Sequence, residues 1–259
     1  MNNLSDMIWI ELRKAIRSRL PLYTALGSLF MPLGIAFLIF IARNPELSQK
    51  LGLIGAKANL MSYSGTNWAS YLGLSSMIIA AGGFFLFCMV ISWVFGREFA
   101  DGTLKDLLAV PVQRSTIILA KYIVVAVWSV MLSIVMLIAG LITGAIIGLP
   151  QGSLSVISQG TTIVAITACL VIAVVLPFAF FASAGRGYLL PMGMAILALM
   201  MANLVAVLGW GEYFPWGVPG LFAQSKGILA PVSYWIVVLT GLVGMAGTYL
   251  WWKFADQSR

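Results

Sequence analysis

Residues 71–95 read YLGLSSMIIAAGGFFLFCMVISWVF, a run of 25 residues without a charged side chain. Wound as a helix at about 1.5 Å per residue, such a run is long enough to cross a hydrocarbon core of about 30 Å. A single strand cannot use it, because backbone groups in lipid must be satisfied within the segment. Residues 96–121 follow as GREFADGTLKDLLAVPVQRSTIILAK, where charge, Gly and Pro interrupt the run before a second apolar stretch begins. A span, a short charged connection and another span describe a polytopic helical membrane protein.

Working outward from this pair, the same test places spans at 21–42, 71–95, 117–148, 161–184, 188–208 and 232–252. Pro32 and Gly34 mark positions where the first span is expected to bend; the second span contains Gly82-Gly83 and the fourth carries Pro177. Composition agrees: 61% of residues are hydrophobic and 9% charged, with mean hydropathy +1.01, where soluble domains carry about 25% charge. The expected fold class is all-α, one transmembrane domain over residues 1–259 with no separate soluble domain.

The basic residues orient it. Arg13, Lys14, Arg17, Arg19, Arg97, Lys105, Arg114, Lys121, Arg186, Lys253 and Arg259 fall on one side, against Arg43, Lys50, Lys57 and Lys226 on the other. The positive-inside rule then puts both termini in the cytoplasm, and an even number of spans agrees. The net charge of +7 is thereby absorbed by orientation and anionic lipid, and nucleic-acid binding is not expected. Aromatics near span ends, including Trp68, Tyr71, Trp93, Tyr188, Trp210, Trp235, Trp251 and Trp252, read as interfacial belts.

Much chemistry is excluded. The chain has no histidine, and Cys88 and Cys169 both lie in apolar runs, reading as small buried hydrophobes. No metal site, catalytic group or bound cofactor is expected. No Gly is followed by Lys, so there is no P-loop, and no G-x-S-x-G or HExxH occurs. No span carries a charge near its middle, where proton and ion relays would keep one. Uphill transport would draw its energy from a partner.

Three segments carry information. Over 97–116, Gly102 closes one helical turn and Thr103 is placed to cap the next, with Asp106 three residues on. Leu104, Leu107 and Leu108 form an apolar face and Pro111 stops the helix, with Glu98, Asp101, Lys105, Asp106 and Arg114 as a charged rim. Such a helix either lies on headgroups or docks into a soluble partner. Over 1–20, Leu4, Ile8, Leu12 and Ile16 make an apolar stripe, while Arg13, Lys14 and Arg17 face elsewhere, as in an interfacial anchor helix. Residues 209–231 hold Pro215, Pro219, Pro231 and five glycines, which no straight span tolerates. The outer segment 43–70 is too short for a folded domain and is expected to hold at most a surface helix.

IELRKAIRSR at 10–19 and REFADGTLKDLLAVPVQRSTIILAKY at 97–122 resemble the corresponding stretches of ABC-2 type export permeases, in particular short six-span members of the bacitracin-export and lantibiotic-immunity kind. The resemblance rests on Glu98, Gly102, Thr103, Leu104, Pro111 and Arg114, and on GEYFPWGVPG at 211–220. It implies an exporter of two permease subunits, identical or homologous, and two separate ATP-binding cassette subunits that hold ATP and Mg. It implies that the N-terminal helix, with Glu11, Arg13, Lys14 and Arg17, and the 97–116 helix dock the ATPase. Asp101, Leu107 and Leu108 would join the motif residues in transmitting its closure. The substrate path would pass Met200 and Asn203 in span five, although Asn203 also reads as an interhelical hydrogen-bonding group and the methionines as packing. Phe214, Pro215 and Trp216 would belong to an extracellular gate that dips into the membrane, against the plainer reading of a loop. An amphipathic peptide, lipid-like or drug cargo is expected. The rival readings are a non-transporting scaffold or sensor and a membrane-embedded lipid-modifying enzyme.

Overall fold

The computed structural model describes residues 3–43 and 67–254, so nearly all of the 43–70 segment and its expected surface helix lies outside the described residues. Among the described residues every regular element is helical. α1 (Asn3–Arg17) precedes α2 (Leu20–Arg43). α3 (Trp68–Ile78) runs through one π-helical turn (Ile79–Gly83) into α4 (Phe84–Ala100), and the short α5 (Leu104–Ala109) follows. α6 (Arg114–Ile146) leads to α7 (Leu154–Val175), broken from α8 (Phe178–Ala184) at Pro177. α9 (Leu189–Val207), α10 (Val218–Gln224) and α11 (Pro231–Phe254) complete the chain. Among the described residues six helices are long and apolar enough to cross a membrane: α2, α3–α4, α6, α7–α8, α9 and α11.

The third and fourth spans begin earlier than hydropathy places them, at Arg114 and Leu154. Their first turns are polar (Arg114, Ser115; Ser155, Ser158), and an apolar window passes over them. The π turn falls on the Gly82-Gly83 pair, and the break at Pro177 follows from its missing N–H. Residue pairs follow one rule of placement: the second and fourth spans form the centre, with 67% and 56% of their apolar windows buried, against 22% for the fifth and sixth.

Apolar area alone does not pull helices together in lipid, so close backbone approach and interhelical hydrogen bonds must. Gly244 on α11 sits so near Pro177 that a Cβ would lie 2.5 Å from the Pro177 Cα. A Cβ on Gly96 would lie 2.9 Å from the Gly187 carbonyl oxygen. The Tyr122 hydroxyl donates to Thr248 Oγ1 at 2.9 Å, joining the third and sixth spans. The Trp252 indole donates to Ser183 Oγ at 2.9 Å, joining the sixth to the fourth. Each such bond contributes about 0.6 kcal/mol.

These bonds also correct the reading of the aromatics. Trp68, Tyr71 and Trp252 are buried inside the bundle, whereas Trp210 and Trp235 are exposed. A tryptophan at a span end that finds a Ser or Thr partner turns inward. Cys88 is buried as expected, but Cys169 lies on the outer surface of α7.

Candidate functional site

The end of the bundle where basic residues concentrate, here the basic end, holds a cluster of four charges. α1 begins with Asp6 in its first turn and ends with Lys14 and Arg17 in its last, the distribution that suits the helix dipole. Its buried stripe is Met7, Glu11 and Ala15, packed on α6, with Leu4, Ile8 and Leu12 beside it. Ile16, expected on the apolar stripe, is 67% exposed. A glutamate occupies the place that amphipathic patterning would give to a hydrophobe.

The reason lies on α6. Lys121 is fully buried, and its ammonium meets Glu11 Oε2 at 3.0 Å, Glu98 Oε1 at 2.8 Å and the Val94 carbonyl at 2.9 Å. All three donor hydrogens are used. Lys14 bridges the same carboxylates from outside, 2.7 Å from Glu11 Oε1 and 3.1 Å from Glu98 Oε1. Two positive and two negative groups therefore cancel where water is scarce, which is the condition for keeping such charges buried. Burial pulls the Lys14 ammonium down, and Glu11 and Glu98 more than reverse this, holding it above the usual lysine range. Among the described residues Glu98 Oε2 is buried without a hydrogen-bond partner.

Glu98 is thus not part of an exposed rim, as its neighbours in sequence suggested. It belongs to the last turn of α4, and the expected helix over 97–116 is three pieces. α4 ends at Ala100, with Asp101 as its C-cap and Gly102 at φ +70°. α5 begins after Thr103, whose carbonyl accepts from Leu107 N–H while its hydroxyl makes no cap bond. Val110 is extended ahead of Pro111, and α6 starts at Arg114. Leu104 is buried and Leu107 packs on the core, while Asp101, Lys105 and Asp106 are exposed. The side chain of Leu108 lies outside the described residues. Arg114 donates to the Trp252 carbonyl at 2.6 Å, and Arg97 pairs with Asp101 at 3.2 Å. Arg13 and Arg17 are exposed on α1.

At the opposite end, residues 211–224 fold back between the spans. Trp216 donates its indole N–H to the Val174 carbonyl at 3.0 Å and stacks near Phe178 and Phe214. Val174 stands just before the Pro177 break, so the bond lands where the fourth span's own ladder is ending. Removing the donor in Trp216→Phe is expected to cost about 1 kcal/mol, seen as earlier thermal labelling of buried Cys88 in a Cys169→Ala background. In the fifth span Met200 and Asn203 are both exposed on the outer face. The Asn203 amide donates to Leu199 O of its own helix at 2.8 Å, and among the described residues it makes no interhelical bond.

Comparison with known proteins gives the geometry a family. A model described as "ABC-2 family transporter protein" matches residues 7–203. The chain belongs to the ABC-2 transporter family. The match takes in all four residues of the buried cluster and ends before the 211–224 segment and the sixth span. This ABC-2 member is also 28% identical over 177 residues to the bacitracin transport permease protein BCRB of Bacillus licheniformis, covering 66% of this chain and 84% of that one. It is accordingly an integral-membrane transporter permease, and membership implies an ATP-binding cassette partner.

Sequence reasoning had named Glu11, Lys14 and Glu98 but not the residue that joins them. Lys121 was counted only as an orienting charge. A lysine within the first turns of an otherwise apolar span needs a buried partner, and that was the available signal.

Proposed function

We propose that this chain is the membrane-spanning subunit of an ATP-driven exporter, with both termini on the cytoplasmic side of the inner membrane. Two such subunits, identical or homologous, pair with two ATP-binding subunits, which alone hold ATP and Mg. α1 and α5 form the dock for the ATPase, and Glu98, Gly102 and Thr103 carry its closure into the second span. The observation that carries this reading is the Lys121 cluster: it ties α1, α4 and α6 together, and only the 101–103 turn separates α4 from α5, so a push on α5 reaches three joined elements. The relative is named for bacitracin transport; for this chain the cargo class is an amphipathic peptide, lipid-like molecule or drug, in keeping with resistance or immunity. Met200 and Asn203 face out of the single chain, where a second permease would close a path, and Phe214, Pro215 and Trp216 close the exit.

The test is affinity purification in mild detergent with mass spectrometry of what co-elutes. A stoichiometric P-loop protein is expected. Charge exchange on the exposed face, Lys105→Glu with Asp106→Lys, is expected to release most of it without altering thermal unfolding. Leu104→Asp would not serve, since Leu104 is buried. A chain that elutes folded and alone under every condition, or an exchanged variant that keeps its partner, sinks the proposal.

A further inference from the structure

A cavity of about 1120 Å³ opens at the end of the bundle opposite the charge cluster, between α3, α7, α10 and the start of α11. That is slightly above the about 300–1,000 Å³ of sites that hold drug-sized ligands. Its lining changes character with depth along both long helices. On α3 the wall passes from Ser70 to Leu74 and Met77, and on α7 from Ser158 and Gln159 to Ile163 and Ile166. Seven residues separate Ser70 from Met77, about 10 Å along the axis. The mouth is polar and the floor apolar.

Its charge is one-sided: among the described residues the lining includes Lys226 and no carboxylate. The backbone at Lys226 is also unusual. α10 ends in a turn where Gly227 N–H bonds back to the Phe222 carbonyl at 2.9 Å, six residues closing the loop. In such a turn the residue after the C-cap takes left-handed φ, and glycine usually fills it. Here that residue is Lys226, at φ +55°, with glycine only afterwards. Gln151 and Arg186 take the same left-handed φ elsewhere; at Lys226 it sets a cation at the rim of the cavity.

We propose that this cavity binds an amphiphile whose headgroup carries a phosphate-class anion, held by Lys226 and Gln159 at the mouth with its apolar chain on the floor. The proposal deepens the exporter reading by giving it a substrate class, but binding itself requires no ATPase. Neither Lys226 nor α10 lies in the stretch matched by the family model.

The test uses the full chain in a neutral maltoside detergent and two photoreactive probes with the same diazirine alkyl tail, one headed by phosphate and one by uncharged glycerol. The phosphate probe is expected to label peptides from 69–77, 156–166 and 222–234 at about tenfold lower concentration. Lys226→Gln should abolish that preference and Lys226→Arg should keep it. Gly73 lines the cavity and a Cβ there meets nothing within 4 Å, so Gly73→Leu is expected to occupy part of it and reduce labelling by both probes. Equal labelling by the two heads, an unchanged preference in Lys226→Gln, or displacement by millimolar inorganic phosphate would each overturn the proposal. The last outcome would assign the site to a free anion. Because no partner is present, failure here leaves the co-purification test untouched.

Discussion

Lys121→Met is expected to be the most damaging single substitution in the chain, costing about 3–5 kcal/mol. The side chain is close in size, so packing survives, but the ammonium that meets both Glu11 and Glu98 is gone. Lys14 must then neutralise two carboxylates from a half-exposed position, and Glu98 Oε2 already lacks a partner among the described residues. The variant should unfold at lower temperature and expose Cys88 to a thiol dye early. Replacing the whole set is expected to differ. In Lys121→Met with Glu11→Gln and Glu98→Gln no buried charge remains in the pocket, and Lys14 can turn to water; buried ion groups exchanged as a unit are often neutral in stability. The triple variant should recover most of the loss. If the single and triple variants melt alike, the cluster is not held together by charge. On the proposed function the two also separate fold from coupling: the triple variant should be stable yet transmit ATPase closure poorly.

Gly244→Val should have the second largest effect. The obstacle is backbone: a Cβ at 244 would stand 2.5 Å from the Pro177 Cα and 2.7 Å from its nitrogen. No rotamer relieves a contact made by Cβ itself, and a proline ring cannot move aside. α11 must leave the fourth span, carrying with it the Tyr122–Thr248 and Trp252–Ser183 bonds. A loss above the about 1–3 kcal/mol typical of overpacking follows. Gly241→Ala is the graded control, since its Cβ would meet the Ala173 carbonyl oxygen at 3.0 Å, a distance a small shift can relieve. Cysteine pairs across α8 and α11, crosslinked in membranes, report the separation directly. Retained crosslinking in Gly244→Val would contradict the packing.

The spans were legible because each is a property of about 20 neighbouring residues, and no partner is needed to see that they belong in lipid. So were Gly102 and Pro111, whose backbone demands are local. What could not be read was pairing at a distance. Glu11 and Lys121 are 110 positions apart, and nothing in either neighbourhood names the other. For the same reason Glu98 was assigned to an exposed rim with Asp101 and Lys105: they are neighbours in sequence, but the helix ends between them. Trp68, Tyr71 and Trp252 were given to the membrane interface because position alone does not show whether a Thr, a Ser or another aromatic waits inside.

The two interruptions in the central spans lie side by side. The π turn ends at Gly83 and the fourth span breaks at Pro177; the next residue in each case is a phenylalanine, and the rings of Phe84 and Phe178 meet edge to face at 5.5 Å. Helices bend where their ladders are broken. The bundle therefore has a waist. On one side of it the ionic knot makes a stiff block, and on the other stand the cavity and the folded-back 211–224 segment. Load applied to the block is expected to flex the second and fourth spans at this plane, where their ladders are already interrupted.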